Sequence, residues 1–518
     1  MTLEDQNNQS HILRNTVLVG VAFTLAMGAG VIRNIIIAQQ FGLGQSLDAY
    51  FAAFKLPDLL FTIVAGGALA TAFIPIFTDF LAEDDRQGAW ELASTITNLV
   101  IIVVTVFAIV AALIAPWLVK TVVAPGFDAE QQAETASVMR LVLISTILFG
   151  ISAVQSSVLH GFRHFLLPAL APVLYPVGIV LGAIWLAPTW GVQGLAVGAI
   201  IGAALHLLVK IPGLLYYGFR WYPILRLKDQ DVRRVLILMG PRVLDLGVFH
   251  LTLVITTNLA SRLDAGSVSA LEWGWDAMQI PETIIGTAFG LVAFPTLSAL
   301  AASGNIAGLR RTLSETLQMI IVLTVPATFG LLLLGRPLLA IVYERGAFDA
   351  NATNAVFIAL QFYAIGLTGH ACLEVAARAF FAQKDMITPL IIAIIFGAVN
   401  IGLAIFLMPR MGHGGLAFAN SAAVSIEVLA LIFILHRRLD GVEAIVMIST
   451  LGRVILASGV MSLVIWVLLA LLDGQMPTII LAGLSGIIGL SVYIVAALWL
   501  NVETLRQLST MLGLKKAS

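Results

Sequence analysis

Long apolar runs, separated by short polar or Gly/Pro breaks, succeed one another from one end of the chain to the other. Runs near the length needed to cross a hydrocarbon core as helix, roughly 20 residues, can be placed along nearly the whole sequence. They fall near 16–40, 50–80, 92–115, 134–160, 167–188, 192–216, 235–259, 270–300, 313–335, 354–380, 387–408, 414–436, 450–472 and 478–500. The pattern predicts an all-α polytopic membrane protein of 14 transmembrane helices. The second and eighth runs are long enough to bend at an internal proline or glycine.

A repeat lies across these runs. Pro116, Leu118, Phe127, Asp128, Pro168, Gly194, Leu195 and Ala196 recur 221 positions later as Pro337, Leu339, Phe348, Asp349, Pro389, Gly415, Leu416 and Ala417. A constant offset without insertion is the mark of a duplication. Extended to helices one to six and seven to twelve, it implies two parallel six-helix lobes related by an axis along the membrane normal. The expected organisation is an N-terminal lobe over 1–217, a cytoplasmic linker over 218–234 and a C-terminal lobe over 235–438. Residues 439–518 then add two helices and a cytoplasmic tail.

Composition supports a membrane location. Of 518 residues, 59% are hydrophobic and 11% charged, with a mean hydropathy of +0.99, whereas about 25% of residues in soluble domains are charged. A net charge of −1 offers no basic face for nucleic acid. The single cysteine, Cys372, excludes an internal disulfide and a cysteine metal cluster. The polar start Met1–Arg14 runs directly into a long first span, so no cleaved signal peptide is expected. Seventeen Lys and Arg residues lie in the tail and on the side shared by the N-terminus and the even-numbered loops. Five lie opposite: Lys120, Arg262, Arg336, Arg345 and Arg410. Both termini are therefore expected in the cytoplasm. The basic residues of the linker read as topological anchors beside membrane lipids.

Ionisable residues inside spans are costly and point to function. They concentrate in the helices that open each half: Arg33, Asp48, Lys55 and Asp58 in the first, Arg242, Asp245, His250, Glu272, Asp276 and Glu282 in the second. Such helices would line a polar cavity between the lobes. Lys55 with Asp58, and Arg242 with Asp245, stand three apart on one helix face, which suits either an ion pair or contact with substrate. Glu272 and Asp276 are like charges four apart, so they call for a bound proton, a cation or a basic partner. His206 and Lys210 are expected to snorkel toward the interface. Glu374 and Arg378 read as a structural pair and His370 as a packed histidine, while Asn400 and Asn420 could bond across helices. No G-x-x-x-x-G-K-[ST] or H-E-x-x-H motif occurs, so a transporter rather than an enzyme is expected.

Several segments resemble the bacterial lipid II flippases, the MurJ or MviN family, of the multidrug, oligosaccharidyl-lipid and polysaccharide exporter superfamily. They are RNIIIAQQFGLGQSLDAYFAAFKLPDLLFTIVAGGALATAFIP from Arg33, MGPRVLDLGVFHLTLVITTNLASRL from Met239 and GSVSALEWGWDAMQIPETIIGTAFGLVAFPTLS from Gly266. YERGAFD from Tyr343 and FFAQKDMITP from Phe380 complete the set. The resemblance implies fourteen helices in two lobes of a bacterial inner-membrane protein. Such a protein moves lipid-linked peptidoglycan precursor outward by alternating access, driven by membrane potential or an ion gradient. It implies substrate contacts at Arg33, Asp48 and Lys55, which match polar positions of the family; the charge pattern itself adds Arg242 and Asp276 as candidate substrate contacts and Glu272, Asp276 and Asp245 as candidates for coupling a Na⁺ or H⁺. Envelope-synthesis proteins are implied partners.

The chain departs from the family at several positions. Ala26 and Met27 replace a Ser-Arg pair, Phe61 replaces an Arg, Gly66 interrupts A-E-G-A, and Asp276 stands where a basic residue is usual. Three cations, Arg33, Lys55 and Arg242, then face six carboxylates among the cavity residues. The acidic balance keeps open an ion-coupled exporter of a cationic amphiphile in the same fold. A transport-inactive scaffold for envelope synthesis is the reading from another class.

Overall fold

The computed structural model describes residues 3–65, 68–439, 441, 443–472 and 474–505; the side chains of 3–19, 64–65, 68, 70–71, 240–242, 244–245 and 444 fall outside that description. Hydrocarbon offers no partner for a backbone N–H or C=O, so a chain this apolar must satisfy them within helices. Helices account for nearly all of the regular structure among the described residues. In order they are α1 (Leu3–Phe41), α2 (Gln45–Ala65), α3 (Ala68–Ala82), α4 (Arg86–Leu113) and α5 (Ala129–Gly161). There follow α6 (Leu166–Trp190) and α7 (Val192–Tyr216), then α8 (Gln230–Ala260). Next come α9 (Ser267–Ala302), α10 (Ile306–Tyr343), α11 (Ala350–Ile365) and α12 (Leu367–Ala382). The last three are α13 (Ile387–Arg438), α14 (Ala444–Leu472) and α15 (Thr478–Trp499).

Ten of these helices are long and apolar enough to cross a membrane, or eleven if α11 and α12, bent by 46°, form one span. The protein is a multi-pass membrane protein. The long second run is covered by α2 and α3, with residues 66–67 between them outside the described residues. The long eighth run is α9, which carries a π turn at Thr283–Thr287 just after Pro281.

Contacts divide the chain into two compact units, Met1–Ala265 and Gly266–Ser518. The packing boundary thus falls after α8, whereas the boundary of the sequence repeat falls before it. The reason is that α8 and the linker leading into it are bonded to the first unit at three levels. Near its start the linker is strapped along α4: Asn98 Nδ2 donates to the carbonyls of Tyr222 and Ile224 (2.8 Å each), and Ser94 Oγ accepts from Tyr222 N–H at 3.0 Å. Arg226 also pairs with Glu91. Midway, His250 meets Thr62 of α2. At the far end Asn258 Nδ2 donates to the Val122 carbonyl (2.7 Å), and Gly126 N–H donates to Ser261 Oγ (3.1 Å).

The duplication is written in the backbone. Asp128 and Asp349, 221 apart, each cap a helix by accepting from the N–H three residues on, at 2.8 Å. Arg163 and Lys384, again 221 apart, both take a left-handed turn, with φ of 57° and 61°. Gly191 and Gly412 share φ 57° and ψ −139°. The first joins α6 to α7 and the second interrupts α13, dividing it into 387–411 and 413–438. A side chain is strained at such φ, so glycine serves at both joints.

Within the first unit, α6 and α7 meet backbone to backbone. A Cβ on Gly178 would lie 2.1 Å from the Gly202 nitrogen, and one on Gly182 would lie 2.6 Å from the Gly198 Cα. Small residues permit this approach where apolar side chains gain little by leaving lipid. The second unit is centred on α10, with Leu313, Leu317 and Ile320 wholly buried. There α15 is fixed to it by the Tyr493 hydroxyl, which donates to the Val322 carbonyl at 2.6 Å.

Two measurements test this packing. Gly178→Ala should lower the unfolding temperature of the detergent-solubilised protein, the overpacking penalty being about 1–3 kcal/mol; an unchanged temperature would mean the two helices are not in backbone contact. In the loop before α13, burial tends to raise the Asp385 carboxyl. It is outweighed by hydrogen bonds from the Thr388 hydroxyl and N–H and by the Arg438 guanidinium, which bring it from 3.8 to about 2. A depressed folded-state value stabilises above the ordinary aspartate range and is lost as pH falls through it. Asp385→Asn should therefore be less stable than wild type at neutral pH, and the difference should close between pH 3.8 and about 2, as thermal unfolding across that range will report.

Candidate functional site

In the first unit the structure gathers polar side chains from four helices. Arg33 on α1 is half-buried, and its Nε and Nη2 donate to Asn34 Oδ1 at 3.0 and 2.8 Å. Arg33 and Asp58 both act electrostatically on the buried phenol of Tyr50 in α2 and the half-buried one of Tyr175 in α6. This places two sequence candidates, one from each of the first two helices, around a tyrosine pair that sequence reasoning missed. Asp48 is buried in the first turn of α2, where the positive end of the helix dipole favours a carboxylate.

Lys55 is 8% exposed and shares a face of α2 with Thr62. His250 of α8 is set against that face: its Nε2 lies 2.9 Å from Thr62 Oγ1, and it feels the charge of Lys55. Arg242 and Asp245 also lie on α8, but their side chains are outside the described residues. Phe61, at the position where the family resemblance leads one to expect an arginine, packs on Phe149, which in turn meets Tyr175 and His206.

The second unit holds the acidic candidates. Glu272 and Asp276 are half-buried on α9, and Glu272 acts on Tyr363 of α11. Between them Trp275 sets its ring edge-on to Tyr363 and His370. His370 Nε2 is 3.0 Å from Asn420 Oδ1, so Asn420 bonds across helices as expected, with His370 as its partner. Glu374 and Arg378 form an ion pair at 2.7 Å. Glu282 lies in their field, and the approach is close because a Cβ on Gly290 would overlap Arg378 Nη1. Among the described residues no group of three or more metal-binding side chains occurs.

One expectation is overturned. Lys210 does not snorkel: it has no exposed surface, and its Nζ donates to the Ser152 carbonyl (2.7 Å) and to Ser156 Oγ (2.8 Å). His206 Nδ1 joins the same group, 2.8 Å from Ser152 Oγ. Two residues four apart on α7 meet two residues four apart on α5, so acceptors inside the protein replace the headgroups. That matched spacing was visible in the sequence.

The fold is shared with solved membrane transporters. A solved lipid II flippase MurJ in an inward closed conformation superposes with a TM-score of 0.79 at 23% identity, over 95% of this chain and 99% of that one. An inward-facing multidrug resistance MATE family transporter of the MOP superfamily gives a TM-score of 0.66 at 12% identity, over 82% and 98%. Sequence narrows the class to a family. The family model for the lipid II flippase MurJ matches residues 37–485. The chain is 31% identical over 423 residues to the lipid II flippase MurJ of Burkholderia cenocepacia, covering 80% of this chain and 82% of that protein. It is 28% identical over 479 residues to a probable lipid II flippase MurJ of Thermotoga maritima, covering 92% and 94%. The chain belongs to the lipid II flippase MurJ family and is a membrane transporter.

The burial of Lys210 is directly testable. In the folded protein a water-soluble amine-reactive reagent should leave Lys210 unmodified, and labelling should appear after denaturation, as read by peptide mass spectrometry. Modification of the native protein would restore the snorkelling picture.

Proposed function

We propose that this protein carries lipid II, a polyprenyl-diphosphate-linked peptidoglycan precursor, from the inner to the outer leaflet of a bacterial cytoplasmic membrane by alternating access. The observation that carries the reading is the family match across residues 37–485, which includes every candidate charge except Arg33. Arg33, Lys55 and Arg242 are assigned to the diphosphate or sugar acids, because anions in a low-dielectric setting require Lys or Arg. Asp48 orients these cations, and Asp276 contacts substrate hydroxyls. Glu272, Asp276 and Asp245 are assigned to the coupling Na⁺ or H⁺, with membrane potential or an ion gradient as the driving force. In this reading fourteen spans leave both termini in the cytoplasm, and the substrate is received from envelope-synthesis proteins. The acidic balance of the candidate residues favours a second reading, ion-coupled export of a cationic amphiphile.

Complementation decides between the two. The wild-type chain should rescue a strain depleted of its lipid II flippase, while Arg33→Ala and Lys55→Ala, inserted at equal levels, should fail or rescue poorly. Failure of the wild type would remove the lipid II reading. Rescue by both variants would remove the assigned roles.

A further inference from the structure

We propose that Arg163 and Lys384 are phosphate-binding anchors for the headgroup of an anionic phospholipid, one in each half of the repeat. The two residues stand 221 apart, and each holds the same place in the same turn. After α5, Arg163 N–H donates to the His160 carbonyl at 2.8 Å and His164 N–H to the Leu159 carbonyl at 2.9 Å. After α12, Lys384 N–H donates to the Phe381 carbonyl at 2.9 Å and Asp385 N–H to the Phe380 carbonyl at 3.0 Å. This closure puts one residue in the left-handed region, with φ of 57° at Arg163 and 61° at Lys384. That conformation suits glycine and is tolerated by asparagine and aspartate. Other helix ends closed by the same pair of bonds follow the preference, with Asp84, Gly218, Gly304 and Asn501 as their left-handed residues. Among the described residues, a long basic side chain takes this place only in the two repeat-related turns.

Two ordinary duties of a cation do not call for such a position. A charge that sets membrane orientation can lie anywhere in a short loop, and one that offsets the helix dipole can lie in the last turn without strain. Neither side chain is used within the protein: both residues are exposed, and neither has a side-chain hydrogen bond or ion pair among the described residues. The carboxylate next to Lys384, Asp385, is engaged by Thr388 and Arg438.

The surroundings point to a lipid rather than a soluble anion. Each cation lies three residues before a helix long and apolar enough to cross a membrane, α6 from Leu166 and α13 from Ile387. Leu166 and Ile387 are 40% and 68% exposed, so apolar side chains open to hydrocarbon stand beside each cation. That is the level at which hydrocarbon gives way to phosphate, where Lys and Arg attract anionic lipid. A phosphodiester accepts from either side chain.

The test uses the full-length protein in neutral detergent, with phosphatidylglycerol titrated and its effect read by thermal unfolding. Arg163→Gly and Lys384→Gly should each raise the lipid concentration at half effect about fivefold, the effect of one cation beside an anionic surface, and the double variant about twenty-five-fold. Without lipid, the glycine variants should unfold at the wild-type temperature or above it, because glycine relieves the left-handed residue. Arg163→Lys and Lys384→Arg should keep the wild-type affinity. Phosphatidylcholine, and inorganic phosphate at matched ionic strength, should give little shift.

Unchanged affinity for phosphatidylglycerol in the double variant would overturn the anchors. Lower unfolding temperatures of the glycine variants without lipid would do the same, because the cations would then serve the fold. An equal response to phosphatidylcholine or to inorganic phosphate would overturn the anionic headgroup as the ligand. Lipid affinity is read here without transport, so the result stands apart from the identity of the cargo.

Discussion

A polar atom inside hydrocarbon has nowhere to turn except to the protein that carries it. That constraint sets the helical backbone, and it also governs the side chains. Lys210 illustrates the strict case: with no exposed surface, it takes its acceptors from a serine and a carbonyl on the neighbouring helix. Glu374 and Arg378 satisfy each other one helical turn apart. Where the charges are richest, in α1, α2, α8 and α9, polar contacts cross between helices, as between His250 and Thr62. The interior of each unit is therefore organised by polar pairing as well as by apolar contact.

The same constraint explains the mixed role of α8. By sequence it opens the second repeat. By contact it belongs to the first unit, because hydrogen-bonding groups in its middle and at its far end find partners on α2 and in the segment around Val122. The linker that leads into it is not a free tether: Ser94 and Asn98 hold its backbone along α4.

Much of the fold could be read from the chain, and for a local reason. The capping aspartates Asp128 and Asp349, and the glycines Gly191 and Gly412, act within a few residues of themselves, so their recurrence at a fixed offset reports the same local geometry twice. The π turn in α9 lies within a run whose length allowed a bend. The candidate site was less legible. Arg33, Lys55 and Glu272 declare themselves as charges in apolar helices, but their neighbours come from distant parts of the chain: Tyr175 for Arg33, His250 for Lys55, Tyr363 for Glu272. Lys210 was misplaced because a lysine near the end of a span reads as an interfacial residue until the serines facing it are recognised.

The joints at Gly191 and Gly412 share their dihedral angles, while the helices beside them have parted ways. Lys210, for example, has the buried Leu431 at the matching place in the second half. The joint is thus older than the differences around it. Each half could acquire its own interior chemistry after duplication because the turn that orients its helices was already set, and a change of cargo did not require a change of frame.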